Sequence, residues 1–336
     1  MTGADSDKRY GKQMNKHKKR FLFAVILLLV ASLALAYSIR DRETKMLDAA
    51  TRAGIGGTYV TLSNGVVHYE LSGEQKTNNV GQETVVMVHG FSSPSYVFDP
   101  TFDYLRQHDF RVLRFDLFGR GFSDRISGSD YGIELYVEQL KGLLDALDIQ
   151  QPVHLIGLSM GGAIVTHFVN KYPERVEKIA LFAPLFETPE RPEVALVKAP
   201  YLGEYLGKII LVPRFIQGAS ETVYDTASFQ DWEEKFSPQT EYEGFSLALV
   251  QTARFLAGKS FQKEYQKLGS LNKPLQLIWG RQDKVIPFKD HEKVLAAVPS
   301  TEFHAINNAG HLPHYEQADL VNPLLLSFLK SPAETP

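Results

Sequence analysis

A chain of 336 residues with 44% hydrophobic residues can bury one large core or two modest ones, and its charged fraction of 22% is ordinary for a globular protein. The net charge of −3 hides an asymmetry, because residues 1–20 are strongly basic and leave the rest of the chain at about −8. This acidic body argues against nucleic-acid binding. The absence of cysteine excludes disulfides, thiolate metal sites and a cysteine nucleophile.

An uncharged apolar segment, Phe21 to Ile39, follows the basic head directly. At about 1.5 Å per residue it is just long enough to cross a hydrocarbon core of about 30 Å. Since buried core helices are seldom so uniformly apolar, we interpret residues 21–39 as a single-pass transmembrane signal anchor behind a basic head at residues 1–20. The lysines and arginines before it predict a cytoplasmic N-terminus and a main domain on the far side, periplasmic or extracellular.

A cleavable signal peptide is the alternative interpretation of this segment. Ala34, Leu35 and Ala36 have the small-x-small form of a cleavage site, so secretion after cleavage near Ala36 stays open. The long basic region and the apolar residues beyond that site favour retention. Residues 40–57 are charged and then glycine-rich, and we expect them to form a tether between the membrane and the domain.

Strands and helices alternate beyond the expected tether. A hairpin is predicted around the turn Asn64-Gly65. The elements predicted after it are strand Thr84–Gly90, a helix within Pro94–Gln107, strand Phe110–Asp116, helix Tyr131–Leu147, strand Pro152–Gly157, helix Met160–Tyr172 and strand Val176–Phe182. Such alternation predicts a mostly parallel sheet that is covered by helices on both faces.

The alternation breaks at about Phe186 and resumes at strand Pro274–Gly280. The intervening sequence has helical character, so we expect residues 186–271 to be a helical cap inserted into one core of residues 58–185 and 272–330. A strand at Thr301–Ile306 and a closing helix at Tyr315–Leu329, interrupted by Pro323, are predicted to complete that core.

The pentapeptide from Gly157 to Gly161 fits the Gly-x-Ser-x-Gly pattern, placed between a predicted strand and a predicted helix. Glycines flank the serine because side chains there would collide with the neighbouring elements, while the serine itself takes a strained backbone conformation. Such a turn holds the hydroxyl at the carboxyl edge of the sheet, beside a helix N-terminus that stabilises negative charge. Ser159 is therefore the candidate nucleophile.

A serine hydroxyl needs a base, and the base needs an orienting acid. Asp283 follows one predicted strand and His311 follows the next, so both are expected at the same sheet edge as Ser159, where open α/β sheets bind ligands. His314 is the rival base, but it would enter the final helix. We interpret it as a rim or packing residue.

The oxyanion that forms on an attacked carbonyl needs two preorganised N–H donors. Met160, directly after the nucleophile, is predicted to supply one, and Phe91, after His89-Gly90, the other. The imidazole of His89 is interpreted as a structural hydrogen-bonding group rather than a base. The sequence carries no motif for a metal or a cofactor, so none is expected.

With these residues, the chain from Thr58 to Leu329 strongly resembles the α/β-hydrolase superfamily. The motifs that carry the resemblance are VMVHGF, RFDLFGRGFSDR, GLSMGG, WGRQDKVIP and NAGHLPHYEQ, in the family's order. The resemblance implies an α/β-hydrolase fold with an inserted helical cap and a catalytic triad. The triad residues would be Ser159, Asp283 and His311. It also implies structural roles for Asp116, Arg120 and Asp124.

The short HGF motif is closest to the branch with monoacylglycerol lipases, small-ester hydrolases, meta-cleavage-product hydrolases and cofactor-free haloperoxidases. A serine nucleophile argues against haloalkane dehalogenases and epoxide hydrolases, which carry aspartate. The leading hypothesis is a serine hydrolase of the esterase or monoacylglycerol-lipase type, which cleaves carboxylic esters through an acyl-enzyme. Apolar cap residues and the membrane segment favour a small-molecule or lipid ester as substrate.

Two alternatives use the same fold. Hydrolysis of the carbon–carbon bond of a vinylogous diketone needs the same triad, although this chemistry usually serves cytosolic catabolism and the membrane segment counts against it. A non-catalytic binding protein is the alternative from another class, since fold does not imply function. Such proteins commonly lose a triad member, whereas this sequence has all three.

Overall fold

The computed structural model of the protein describes residues 4–73, 82–188, 197–218 and 222–332, with side chains from residue 16 onward. It divides into two units, Met1–Asp41 and Arg42–Pro336. The first unit is helix α1, Ala4–Arg40. Its part Lys16–Arg40 is long and apolar enough to cross a membrane, and both a membrane anchor and a signal sequence give such a helix. The interpretation of residues 21–39 as an anchor therefore stays a prediction.

The second unit alternates strands and helices as expected. Its strands are β1 (Thr58–Leu62), β2 (Gly65–Leu71), β3 (Thr84–Val88), β4 (Arg111–Phe115), β5 (Val153–Leu158), β6 (Val176–Phe182), β7 (Leu275–Gly280) and β8 (Glu302–Ile306). Its helices outside the expected cap are α2 (Ala49–Ile55), α3 (Asp99–Arg106), α4 (Ile133–Ala146), α5 (Met160–Lys171), α11 (His291–Ala297), α12 (Pro313–Glu316) and α13 (Ala318–Lys330).

Among the residues described between 186 and 271, all regular elements are helical. They are α6 (Leu202–Leu206), a π-helical turn (Gly207–Leu211), α7 (Val212–Gln217), a 3-10 helix (Thr226–Phe229), α8 (Trp232–Phe236), a second 3-10 helix (Ser237–Glu241), α9 (Phe245–Leu256) and α10 (Gln262–Ser270). A single antiparallel bridge joins Glu187 to Ser260 near the two ends of this insertion. The helical character predicted for the segment agrees with this content.

The eight strands form one sheet in the order β1-β2-β4-β3-β5-β6-β7-β8. Strands β1, β2 and β4 pair antiparallel, whereas every pairing from β4 through β8 is parallel. The expected fold, a mostly parallel sheet flanked by helices, is confirmed. Because parallel strands end at one edge, the loops after β3, β5, β7 and β8 meet there.

The centre of the sheet is buried on both faces. All residues of β3 and β5 are buried, as is typical of parallel strands between two layers of helices. In β5, Val153 and Leu155 belong to the apolar cluster on one side of the sheet, while Ile156 and Leu158 belong to the cluster on the other. The end of β5, where the candidate nucleophile follows, is therefore fixed by packing from both sides.

Residues 40–57, expected to form a tether, are mostly folded in the structure: from Arg42 onward they belong to the second unit. Asp48 caps helix α2 by accepting a hydrogen bond from the N–H of Thr51. In the same helix, the buried guanidinium of Arg52 forms an ion pair with Asp124. The pair Arg52–Asp124 joins residues that lie far apart in sequence, which the composition of this segment could not indicate.

The closing helix also differs from its prediction. The helix is interrupted at Gln317, between α12 and α13, and not at Pro323, which lies inside α13. The side-chain oxygen of Asn322, directly before the proline, accepts a hydrogen bond from Thr101 at 2.9 Å. Val321 and Leu325 are fully buried, so tertiary packing outweighs the cost of the proline.

Asp116, which the resemblance marked as structural, joins four polar groups behind the sheet edge. One carboxylate oxygen accepts from the N–H and the hydroxyl of Ser95 at 2.9 and 2.7 Å, and the other from the Phe122 N–H and His68 Nδ1 at 3.0 and 2.8 Å. Burial by itself would raise the pKa of Asp116, but the hydrogen bond and charge of His68, the charge of His89 and the hydrogen bond of Ser95 together outweigh burial and hold the pKa well below its usual range.

We predict that Asp116→Asn lowers the free energy of unfolding by about 3 kcal/mol, because it removes a buried charge and leaves its donors mismatched. The native contribution is complete above the unfolded pKa of about 4 and is lost as the pH falls below it. Urea unfolding of the detergent-solubilised protein measures both effects. The control Asp103→Asn breaks only an exposed pair with Arg106 and should change little; equal effects of the two variants would contradict the prediction.

Candidate active site

Ser159 occupies the tight turn between β5 and α5. Its φ of 55° lies in the left-handed region, as the nucleophile elbow requires. A Cβ at position 157 would lie 2.7 Å from the Gly161 carbonyl oxygen, and one at position 161 would overlap the Val88 carbonyl oxygen. The flanking glycines are therefore needed for the close approach that the sequence pattern predicted.

His311 and Asp283, predicted as base and orienting acid, lie side by side after β8 and β7. The distance from His311 Nδ1 to Asp283 Oδ2 is 2.8 Å, and both side chains are almost fully buried. The other carboxylate oxygen of Asp283 accepts from the N–H groups of Val285 and Ile286 at 2.8 and 2.9 Å. Because Nδ1 carries the ring proton and donates a hydrogen bond to the carboxylate, Nε2 is unprotonated and is the basic atom of His311.

The loop after β3 passes directly beside the candidate nucleophile. A Cβ added to Gly90 would lie 3.1 Å from the Cβ of Ser159. Phe91 follows in this loop and lines the same cavity as Ser159, while Met160 begins helix α5. The two residues predicted as oxyanion donors thus follow the carboxyl ends of the neighbouring strands β3 and β5.

His89 fixes the peptide that carries the Phe91 N–H. Its Nδ1 donates to the carbonyl of Gly90 at 2.9 Å, which belongs to that peptide, and its Nε2 accepts from the Leu117 N–H at 2.9 Å. Burial lowers the pKa of His89 to about 4, so the ring is neutral at neutral pH. These contacts agree with the structural role expected for this imidazole.

Arg120 supports the same loop from a fully buried position. Its Nε donates to the carbonyl of Phe91 at 2.7 Å, and one terminal nitrogen donates to the hydroxyl of Thr252 in helix α9 at 2.9 Å. The guanidinium therefore joins the predicted oxyanion loop to the helical insertion. Its motif identified Arg120 as structural, but only the folded chain shows which elements it connects.

Glu316 is the residue of this site that the sequence analysis missed. Its carboxylate accepts from the N–H groups of Gly310 at 2.9 Å and Leu312 at 3.2 Å, directly before and after His311. It also accepts from the N–H of Tyr224 in the insertion at 2.5 Å. Burial raises the pKa of Glu316 against the opposing effect of these hydrogen bonds. A signal was present, since the glutamate lies in the NAGHLPHYEQ motif.

His314, the rival base, is completely buried. Its ring lies between those of Phe98 and Phe182, with centroid distances of 5.0 and 4.8 Å, and its Nε2 donates to the carbonyl of Val97 at 3.0 Å. Burial lowers the pKa of His314 to about 3. The packing role proposed for it fits these contacts better than that of a base.

A cavity of about 500 Å³ opens beside Ser159 and His311. Its apolar walls are formed by Phe91, Leu158, Leu211, Phe215, Val285 and Leu312. Two basic residues, Arg214 of helix α7 and Lys284, also line the cavity. Within the described ranges, no cluster of three or more histidine, aspartate or glutamate side chains is arranged to hold a metal ion.

Comparison with known proteins identifies the family. The sequence model of the alpha/beta hydrolase fold family matches residues 83–318. The chain belongs to this family. It is 30% identical over 282 residues to 2-hydroxy-6-oxononadienedioate/2-hydroxy-6-oxononatrienedioate hydrolase 1 of Pseudomonas putida, covering 78% of this chain and 91% of that protein. The matched family and this relative together support a hydrolase.

Two solved structures share the fold. The 2-hydroxy-6-oxo-6-phenylhexa-2,4-dienoate hydrolase of Rhodococcus sp. strain RHA1 superposes with a TM-score of 0.65 at 22% identity, covering 82% of this chain and all of that chain. An esterase of Thermogutta terrifontis superposes with a TM-score of 0.67 at 23% identity, covering 82% of this chain and 98% of that chain. At these identities the likeness shows the alpha/beta hydrolase fold alone.

The lipase-like branch expected from the sequence gains no support from these comparisons. The Pseudomonas putida relative is named for an unsaturated oxo acid. This name agrees better with carbon–carbon bond hydrolysis, the alternative to ester cleavage, than with ester cleavage itself. The branch that the HGF motif indicated includes both ester hydrolases and meta-cleavage-product hydrolases, so the motif could not separate the two chemistries.

We predict that Glu316→Gln lowers kcat about tenfold or more, because the amide places a donor against backbone N–H groups and loosens the His311 loop; tenfold corresponds to about 1.4 kcal/mol. Steady-state kinetics on any hydrolysed substrate measures the effect. Glu292→Gln, at an exposed position of α11, is the control and should leave kcat unchanged. A Glu316→Gln enzyme with native kcat would show that the carboxylate does not position the loop.

Proposed function

We propose that the protein hydrolyses a carbon–carbon bond beside the ketone of an unsaturated oxo acid, the reaction given above as the alternative to ester cleavage. The observation that carries the proposal is the cavity, which combines Ser159 and His311 with apolar walls and the basic residues Arg214 and Lys284. Such a lining suits a conjugated carbon chain that ends in a carboxylate. The name of the Pseudomonas putida relative supports the same substrate class.

The proposed reaction begins at the ketone. Ser159 Oγ attacks the carbonyl carbon while His311 Nε2 takes the hydroxyl proton, and Asp283 holds the resulting imidazolium. The N–H groups of Phe91 and Met160 stabilise the oxyanion. Both hydrogen bonds of His89 pre-orient the Phe91 peptide, so little reorganisation is needed when the charge develops.

Collapse of the tetrahedral intermediate then breaks the carbon–carbon bond. This requires that the 2-hydroxy-diene has first tautomerised: its enol hydroxyl loses a proton and the carbon beside the ketone gains one, which leaves a conjugated 2-oxo group. The bonding electron pair then leaves with the carbon chain, where this 2-oxo group delocalises it as a dienolate, and His311 returns to carbon the proton that it took from Ser159. The acyl group stays on Ser159. Water attacks this acyl-enzyme with His311 again as the base, which releases a carboxylic acid and regenerates the serine.

Ester hydrolysis is the second candidate, because the same triad and the same oxyanion donors perform it. The apolar walls of the cavity also accept a neutral acyl chain. An alkoxide leaves more readily than a carbanion, so a site able to break the carbon–carbon bond is expected to cleave activated esters as well. The two candidates differ in whether the basic side chains of the cavity contribute to binding.

The domain organisation belongs to the same proposal. Residues 58–185 and 272–330 form the catalytic core, residues 186–271 the cap, and residues 21–39 a membrane anchor behind the basic head at residues 1–20. The apolar helix Lys16–Arg40 supports the anchor. The basic residues before it favour a cytoplasmic N-terminus with the catalytic domain on the periplasmic or extracellular side.

We predict that the solubilised protein hydrolyses 2-hydroxy-6-oxo-dienoates with a kcat/KM at least tenfold above that for p-nitrophenyl esters. Ser159→Ala should lower both activities by about a thousandfold or more. Loss of the dienoate chromophore and release of nitrophenolate are the measurements, and Ser63→Ala, in the β1–β2 turn, is the control. Turnover of esters alone would select the second candidate, and a folded protein silent on all substrates would favour a binding role.

We also predict that Arg214→Gln raises KM for the anionic dienoate about tenfold and changes KM for a neutral ester less than twofold, because a charge-assisted hydrogen bond is worth about 1.5–3 kcal/mol. Arg106→Gln, in helix α3, serves as the matched control. If KM rose equally for the anionic and the neutral substrate, Arg214 would be a packing residue of the cap and not a carboxylate partner.

A further inference from the structure

The cap is bound by three residues that precede helix α2: Glu43, Thr44 and Lys45. We call these residues the strap. The N–H groups of Thr44 and Lys45 donate to the carbonyl of Glu241 at 2.9 and 3.0 Å. In return, the N–H of Glu243 donates to the carbonyl of Lys45 at 2.9 Å, and a parallel bridge joins the two segments. The strap therefore runs beside residues 241–243 of the cap.

Glu43 of the strap satisfies the N-terminus of helix α9. This helix begins after Gly244, which has no side chain to accept a hydrogen bond, and its first turn contains no acidic residue. One carboxylate oxygen of Glu43 accepts from the N–H of Gly244 at 2.8 Å. The other accepts from the N–H of Ser246 at 2.8 Å and from the hydroxyl of the same serine. Because the free N–H groups at a helix start favour a negative charge, Glu43 stabilises α9 from a distant part of the chain.

The same carboxylate also contacts a wall of the cavity. Its oxygen that binds Gly244 lies 3.6 Å from Nζ of Lys208, and the side chains of Glu43 and Lys208 are only 8% and 17% exposed. Lys208 lies in the π-helical turn, which continues into helix α7. We call residues 207–217 the cavity wall, because three of them line the cavity beside Ser159: Leu211, Arg214 and Phe215.

The cavity wall packs against the first turns of α9. A Cβ added to Gly207 would lie 2.5 Å from Val250 Cγ2, so the π-helical turn approaches the helix closely. Val212 and Ile216 of α7 share a buried apolar cluster with Leu249 of α9. The wall therefore takes its position from this part of α9, and the ion pair with the strap adds a second contact to it.

The other end of α9 is held by the core. The hydroxyl of Thr252 accepts from Arg120 at 2.9 Å and lies 3.0 Å from the hydroxyl of Tyr136. Arg120 and Tyr136 are both completely buried. Loss of the Glu43 carboxylate would therefore loosen the start of α9 and the cavity wall, whereas Arg120 would keep its contact with the carbonyl of Phe91.

We propose that Glu43 is a positioning residue, which fixes the cavity wall against the start of α9 and so sets the binding of the part of the substrate that reaches this wall. The inference rests on the proposed function, because it takes the cavity beside Ser159 as the substrate site. Glu43 does not line that cavity, so its effect passes through Lys208 and α9. A chain cleaved near Ala36 retains the strap, so the inference is independent of the membrane anchor.

The test compares a long and a short substrate, p-nitrophenyl octanoate and p-nitrophenyl acetate, because both need the same catalytic groups and only the long acyl chain extends to the wall. Glu43→Gln keeps the size of the side chain but removes its charge and turns one acceptor into a donor. Lys208→Gln changes only the contact with the wall. Glu243→Gln, at an exposed position beside the strap, is the matched control. The full-length variants are studied in detergent by steady-state kinetics and by hydrogen exchange.

We expect Glu43→Gln to raise KM for the octanoate about fivefold or more, and Lys208→Gln to raise it in the same direction, while kcat for the acetate changes less than about twofold. Backbone amides of residues 207–216 should exchange about tenfold faster in both variants, whereas the amides of β5 keep their rates. The Glu243→Gln control should match the wild type in both measurements.

Equal losses on the two esters, or a native KM for the octanoate in both variants, would overturn the proposal. If Glu43→Gln does not fold, Lys208→Gln decides by the same criteria. A wild type that is silent on both esters would contradict the proposed chemistry and not the positioning role, because hydrogen exchange needs no turnover. Native exchange rates at residues 207–216 in both variants would refute that role.

Discussion

The candidate active site depends on close main-chain packing at the carboxyl end of β5. There the turn around Ser159 packs against the end of β3 with no room for a Cβ at positions 157 and 161. This approach holds the serine in a left-handed conformation and brings the loop with Gly90 and Phe91 against it. The proposed nucleophile and both proposed oxyanion donors thus follow the ends of two fully buried strands whose main chains pack closely. This packing gives them a rigidity that loops alone would lack.

Buried polar side chains connect this rigid edge to its surroundings. His89 and Arg120 hold the loop after β3, and Glu316 holds the loop with His311. Two of the three also reach the cap, through Thr252 and Tyr224. A displacement of the cap would therefore break hydrogen bonds of the loops that carry the proposed oxyanion donor and the proposed base.

The features that the sequence predicted are those with local causes. Uniformly apolar strands, helical spacing and the glycine-flanked serine are short-range signals, and they were enough for the fold and for a specific triad hypothesis. The features it missed join distant residues: Glu43 binds the start of α9, Arg52 pairs with Asp124, and Glu316 binds Tyr224. The bond cleaved could not be read from the motifs either, because ester and carbon–carbon hydrolysis use one set of catalytic groups.

The proposed anchor and the proposed chemistry constrain the substrate together. A dicarboxylate such as the one named for the Pseudomonas putida relative is too polar to accumulate at a bilayer, especially beside a body with a charge of about −8. An oxo acid with one carboxylate and an apolar tail does accumulate there. Under the proposed function, six apolar residues of the cavity would surround that tail, while Arg214 or Lys284 would bind the single carboxylate. The membrane segment, which argued against this chemistry as cytosolic catabolism, then selects the more apolar members of the substrate class.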